Sequence, residues 1–316
     1  MKRFKNILLV FNESTQNKAT IEQAKDLCKR NQARLTVVNV VEDVLRRAGD
    51  LGSTPEVLSS LHSHDLEIRK QDLEQLVEPV RQEGIQVATK VITGTPFLQI
   101  IREVLRFKHD LVIMTAEGNG GLRERVFCST SMHLMRKSPC PVWVVKPDHP
   151  GHYARILAAV DPDSDKQKNE LAIKIMDLAT SKALCYNAEL HIVNAWILHG
   201  ESLLRHGRAQ IPSAELEKLL GQTESKHKDA LDKLLSRYDL EKLQHNIHFL
   251  KGEAKNIIPA LAEQNNIGLI VMGTVGRTGV PGFFIGNTAE NVLNQVNSSV
   301  MAVKPEGFVT PVKLDE

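Results

Sequence analysis

A chain of 316 residues has room for two domains of ordinary size, and 42% apolar with 25% charged residues is the make-up of a protein that buries a core. A net charge of +2 and only 4% aromatic residues speak against nucleic acid as a partner, since neither a basic footprint nor a set of stacking rings is available. No apolar stretch approaches the roughly 18 residues of a membrane span, Cys28, Cys128, Cys140 and Cys185 show no CxxC spacing, and the first apolar run stops at Asn12, too short for a secretory leader. The expectation is a cytoplasmic location, reduced thiols and no membrane partner.

In chain order, continuous Val, Ile and Leu runs predict strands at 6–11, 35–41, 85–92, 111–115 and 141–146. Amphipathic segments at 17–32, 57–83, 97–107 and 129–137 predict the helices between them. The turn His149-Pro150-Gly151 then separates a second series. Its strands fall at 155–161, 189–195, 246–250, 268–272 and 299–304, and its helices at 167–186, 213–237, 255–265 and 287–296. The two series are copies: Gly94 to Pro147 lies without a gap over Gly252 to Pro305 at an offset of 158, so that HDLVIMTAEG falls on IGLIVMGTVG and CPVWVVKP on SSVMAVKP. Near the starts, KNILLVFN matches ARILAAVD at an offset of 149.

Strands alternating with helices imply right-handed crossovers and a parallel sheet covered on both faces. The fold class expected is α/β, two tandem doubly wound, Rossmann-like domains with five parallel strands each, spanning 1–149 and 150–316. The connections at 42–57 and 197–212 are long for this class and read either as lids over the clefts or as flexible insertions.

In such a sheet a ligand sits beyond the carboxyl ends of the strands, where strand order reverses. In the second half that places Asp161 after the first strand and the stretch GTVGRTGVPGFFIGNT after the fourth. Gly273 and Gly276 allow close backbone approach, Gly286 precedes a helix whose first amides suit an anion, and Arg277 or Lys251 adds charge near a phosphate. Glycines after a strand also form plain turns, so spacing alone leaves a turn and a phosphate site as equal readings. Neither GxxxxGK[ST] nor GxGxxG occurs.

The spacing Gly273-x-x-Gly276, nine residues, then Gly286 before small polar residues resembles the ATP-binding signature of the universal stress protein family. The strand ending in Asp161, Gly252, the LIVMG run and the closing Lys304-Pro305 are similar to that family too, in two tandem copies over nearly the whole chain. The resemblance implies a non-enzymatic, stress-response regulatory protein that binds ATP, or AMP or ADP, with Mg2+ as an accompanying ion. It implies Asp161 near adenine or ribose, Met272 and Gly273 at the ribose and phosphate entry, and Gly276, Arg277, Gly286, Asn287 and Thr288 around the phosphates. It also implies that the last strands, 142–146 and 301–304, pair within the chain as an intramolecular pseudo-dimer, with a homodimer through the same strands as a further partner state. Asn287 departs from the family, which usually carries Ser or Thr there, and offers no hydroxyl for a metal shell.

The first half departs further: Thr115 stands for Gly273, Cys128 for Gly286 and Asn12 for Asp161, while Glu117, Arg123, Glu124 and Arg125 enter the loop around Gly118. A degenerate partner domain without nucleotide is the expectation there. The rival reading is a non-nucleotide binding or scaffold protein that uses the clefts for a partner or an apolar metabolite; a slow ATPase ranks last, since no general base is placed near the phosphates. His62, His64, His199 and His206 read as solvated rather than as metal ligands, and Ser129, Thr130 and Ser131 read as caps of the helix they begin.

Overall fold

The structure is a computed structural model, and it describes residues 3–12, 18–42, 55–116, 127–147, 153–163, 165–206, 211–274 and 286–314. The first half comprises β1 (Asn6–Phe11), α1 (Lys18–Asn31), β2 (Arg34–Val41), α2 (Pro55–Gln82), β3 (Val87–Thr93), α3 (Pro96–Phe107), β4 (Leu111–Thr115), α4 (Ser129–Lys137) and β5 (Val142–Val145). The second comprises β6 (Arg155–Ala159), α5 (Lys166–Tyr186), β7 (Glu189–Trp196), α6 (Glu201–His206), α7 (Ser213–Leu235), β8 (His245–Lys251), α8 (Ala254–Gln264), β9 (Leu269–Gly273), α9 (Asn287–Leu293) and β10 (Ser299–Val303). Strand pairing is parallel within each half and the halves join into one sheet, β3-β2-β1-β4-β5-β10-β9-β6-β7-β8.

The junction is antiparallel, Val300 opposite Val144, Met301 opposite Trp143 and Ala302 opposite Val142. Trp143 and Met301 are repeat equivalents at the offset of 158, so a pseudo-twofold axis passes between them. The expected intramolecular pseudo-dimer is therefore formed. Homodimer pairing through the same strands is corrected: β5 bonds β4 and β10, β10 bonds β9 and β5, and no edge of either is left for a second chain.

Strand alternation feeds two apolar layers, each shared by both halves. One face joins Ile7, Leu9 and Trp143 with Leu27, Val77, Ile175, Met176 and Leu231 of α1, α2, α5 and α7. The other joins Leu8, Val10 and Val144 with Ile101, Leu134, Ile258, Leu261 and Val292 of α3, α4, α8 and α9. Aliphatic residues fill both layers because parallel strands are buried on either side. Three aromatics meet near the axis: the Trp143 and Tyr153 rings lie 6.2 Å apart, Tyr186 stands edge-on to Tyr153 at 5.8 Å, and the buried Lys182 ammonium sits 3.9 Å from the Trp143 ring.

Part of the 197–212 connection is neither lid nor loose insertion. It contains α6, and Leu198, Leu204 and Ile211 pack with Trp196, Leu216 and Leu220. These three apolar side chains had a surface to bury, and length alone hid it. Of 42–57, residues 43–54 lie outside the described residues.

Candidate functional site

The order 3-2-1-4-5 in each half places the reversal between β1 and β4, and between β6 and β9. In the second half Ala159 pairs with Met272, so the chain leaves β6 through Val160 and Asp161 beside Gly273 and Thr274. Gly286 returns to this point: its N–H donates to the Thr274 carbonyl at 3.1 Å, and it is the N-cap of α9. Asp161, Gly273, Gly286, Asn287 and Thr288 are thus brought to one end of the sheet. Asn287 and Thr288 are exposed on the first turn of α9, and Gly286 adds no side-chain cap there. First-turn amides of a helix have no intrahelical acceptor, which suits an anion. Gly276 and Arg277 lie outside the described residues, as do Glu117, Gly118, Arg123, Glu124 and Arg125 of the first half.

Two predicted site residues have a structural occupation as well. Met272 is 3% exposed and its side chain belongs to the core layer with Ile258 and Val292, so only its backbone faces the cleft region. Gly273 is glycine for packing: a Cβ there would stand 2.8 Å from Leu171 Cδ2 on α5, with Ile175 Cδ1 at 3.9 Å. Its φ does not lie in the left-handed region, so close helix approach, not a strained turn, requires it.

At the matching place in the first half, Thr115 is buried and its hydroxyl meets that of Thr20 on α1 at 2.6 Å. Cys128 is the N-cap of α4, its Sγ accepting from the Ser131 N–H at 3.4 Å while Ser131 Oγ donates to the Cys128 carbonyl at 2.9 Å. That corrects the assignment of the cap to Ser129, Thr130 or Ser131; the cysteine one position before Ser129 takes the role. Sequence reasoning also passed over Asn194, which is fully buried and donates from Nδ2 to the Val160 carbonyl at 3.0 Å, fixing the exit of β6. Asn39 does the same for Phe11 at 3.3 Å. A lone Asn in mid-strand at equivalent positions of both halves was the available signal.

Lysines close both repeats. Lys304 is 2% exposed; burial pulls its ammonium down to about 7, while Met135 and Arg136 carbonyls and the Thr274 hydroxyl favour the charged form. Lys146 is buried as well, with its Nζ 4.7 Å from the Phe127 ring.

A separate cavity of about 330 Å³ lies at the opposite, amino end of β6, β7 and β8, lined by Arg155, Glu189, His191 and His248 among others. The two imidazoles are stacked there with Nδ1 of His191 and Nε2 of His248 3.0 Å apart. Burial lowers both histidines, so they are held neutral at pH 7. Among the described residues no group of three or more His, Cys, Asp or Glu could hold a metal ion, and no helix is long and apolar enough to cross a membrane.

The family model described as the universal stress protein family matches residues 3–146 and again 152–304. The chain belongs to the universal stress protein family. It is 28% identical to universal stress protein E of Photorhabdus laumondii over 99% of each chain, and 28% identical to universal stress protein E of Escherichia coli K12 over 100% of this chain and 99% of that one. Among solved structures, a functionally unknown protein of Pseudomonas aeruginosa PAO1, PA1789, superimposes with a TM-score of 0.71 at 24% identity, covering 97% of this chain and 95% of that one. A universal stress protein of Archaeoglobus fulgidus gives 0.63 at 19% identity over 95% and 98%. These superpositions show the fold, two tandem universal stress protein domains in one mixed sheet.

Proposed function

We propose that this universal stress protein is a non-enzymatic regulator whose second half binds an adenine nucleotide, ATP or its di- or monophosphate, at the carboxyl ends of β6 and β9. The observation that carries the reading is the convergence of Asp161, Gly273 and the Gly286–Thr288 turn at the one place where strand order reverses in that half. Asp161 supplies an acceptor for ribose or base, and the first turn of α9 supplies amide donors for phosphate. The exposed Thr288 provides the only hydroxyl of the Asn287-Thr288 pair for an ion that accompanies the phosphates. The first half lacks this set. Thr115 spends its hydroxyl on Thr20 and Cys128 brings a side chain where Gly286 has none.

The second reading, a partner or metabolite binder without nucleotide, is favoured by Gly273, whose missing Cβ is explained by Leu171 without any ligand. Denaturing the purified protein and chromatographing what is released separates the two. Adenine nucleotide in the supernatant, and ATP binding in titration of the stripped protein, support the first; neither, up to millimolar ATP, removes it.

A further inference from the structure

The buried ammonium of Lys304 joins the two halves. Its Nζ donates to the Met135 carbonyl at 2.7 Å, to the Arg136 carbonyl at 3.0 Å and to Thr274 Oγ1 at 2.7 Å, which uses all three N–H bonds. Thr274 Oγ1 donates in turn to the Met135 carbonyl at 2.9 Å. Met135 and Arg136 form the last turn of α4, in the first half, where carbonyls have no intrahelical partner and the helix dipole is negative. Thr274 belongs to the second half and is bonded through its carbonyl to the Gly286 N–H, the cap of α9. A second link runs alongside: Arg136 Nη2 contacts Glu290 Oε1 of α9 at 2.7 Å.

The other end of α4 lies at the first cleft. Its N-cap, Cys128, is the repeat equivalent of Gly286. Nine residues at ~1.5 Å each give a rod of ~13 Å with one end in the first cleft and the other clamped to the base of the second. The connection is unequal. At the position equivalent to Thr274 the first half has Ala116, which carries no hydroxyl to complete such a network around Lys146.

We propose that Thr274 and Lys304 are positioning residues that make nucleotide affinity of the second cleft depend on the first half, with α4 as the element through which the state of the first cleft is felt. The proposal rests on the nucleotide reading above, and coupling of this kind is reciprocal: nucleotide in the second cleft changes the stability of α4. It assigns the degenerate half a regulatory part that needs no ligand chemistry of its own.

The test uses the full chain as wild type, Thr274→Val, Thr274→Ser and Lys304→Met, with ATP titration and amide hydrogen exchange of peptides covering 129–138 and 286–294. Val keeps the volume of Thr and removes the hydroxyl; Ser keeps the hydroxyl. The expected result is a Kd for ATP raised about tenfold in Thr274→Val and Lys304→Met, within about twofold of wild type in Thr274→Ser, with ATP slowing exchange of α4 in wild type and Thr274→Ser only. Equal affinity in wild type and Thr274→Val, or α4 exchange indifferent to ATP while ATP binds, overturns the proposal. A wild type that binds no ATP sinks the functional reading instead, and exchange in the ligand-free proteins still decides the link. Faster exchange of both peptides together in Thr274→Val upholds it, and exchange equal to wild type overturns it.

Discussion

The two halves share one backbone plan and differ where strand four meets the first helix. In the first half the contact is polar, Thr115 against Thr20. In the second it is a glycine that lets Leu171 reach the strand. At the amino end the contrast reverses: Phe107 lies under the Lys90 ammonium in the first half, whereas Asn265 stands at the equivalent place in the second and borders the polar cavity. A duplicated fold therefore keeps its strand register and its shared core while each end of each half is rebuilt from a few positions.

Breaking what the halves share carries the largest effect. Trp143→Ala removes the ring at the pseudo-twofold axis, where Tyr153 and Lys182 pack on it, and is expected to cost about 3–5 kcal/mol in urea unfolding. Next comes the contact that distinguishes them. Gly273→Thr puts a Cβ 2.8 Å from Leu171 Cδ2 and is expected to cost about 1–3 kcal/mol by overpacking. Gly273→Thr is expected to cost less in a Leu171→Ala background, where the side chain that the new Cβ would meet is gone, than in the wild type; an equal cost in the two backgrounds would show that Leu171 is not the obstacle. In the first half, Thr115→Val leaves Thr20 without its partner and is expected to cost about 1 kcal/mol.

A further effect is one of pH. Burial pulls Lys182 from its ordinary 10.5 down to about 7, so between those values the unfolded chain holds a proton that the folded one does not. Stability therefore rises with pH from 7 toward 10, and the rise is shallower in Lys182→Met. Urea midpoints at pH 7 and pH 9.5 measure it; equal slopes in the two proteins would refute the assignment.

Most of the architecture could be read from periodicity, because the inner strands are apolar runs; the two edge strands, β3 (VATKVIT) and β8 (HNIHFLK), mix in polar residues. α4 begins and ends where the pattern places it, stopped by Pro139 after Ser138. α9 ends three residues short of the expected 296, since Asn294 to Ser298 form the turn into β10. The strand at 85–92 begins at Val87 instead, as Gly84 takes a φ of 80° to close α2 and Ile85 drops into the core ahead of the strand. The candidate site was legible as a set of positions and not as a set of roles. Composition cannot tell a glycine kept for a phosphate from one kept for Leu171, and the closing Lys-Pro of each repeat gave no sign that Lys304 reaches the far half. Those distinctions depend on contacts between residues more than 100 positions apart.

The proposed binding is of one nucleotide per chain, held by the second half. Calorimetric titration of ATP into wild type, Gly276→Val and Gly118→Val tests it most directly. The expected stoichiometries are one, none and one. Two sites in wild type, or binding that survives Gly276→Val and disappears in Gly118→Val, would contradict it.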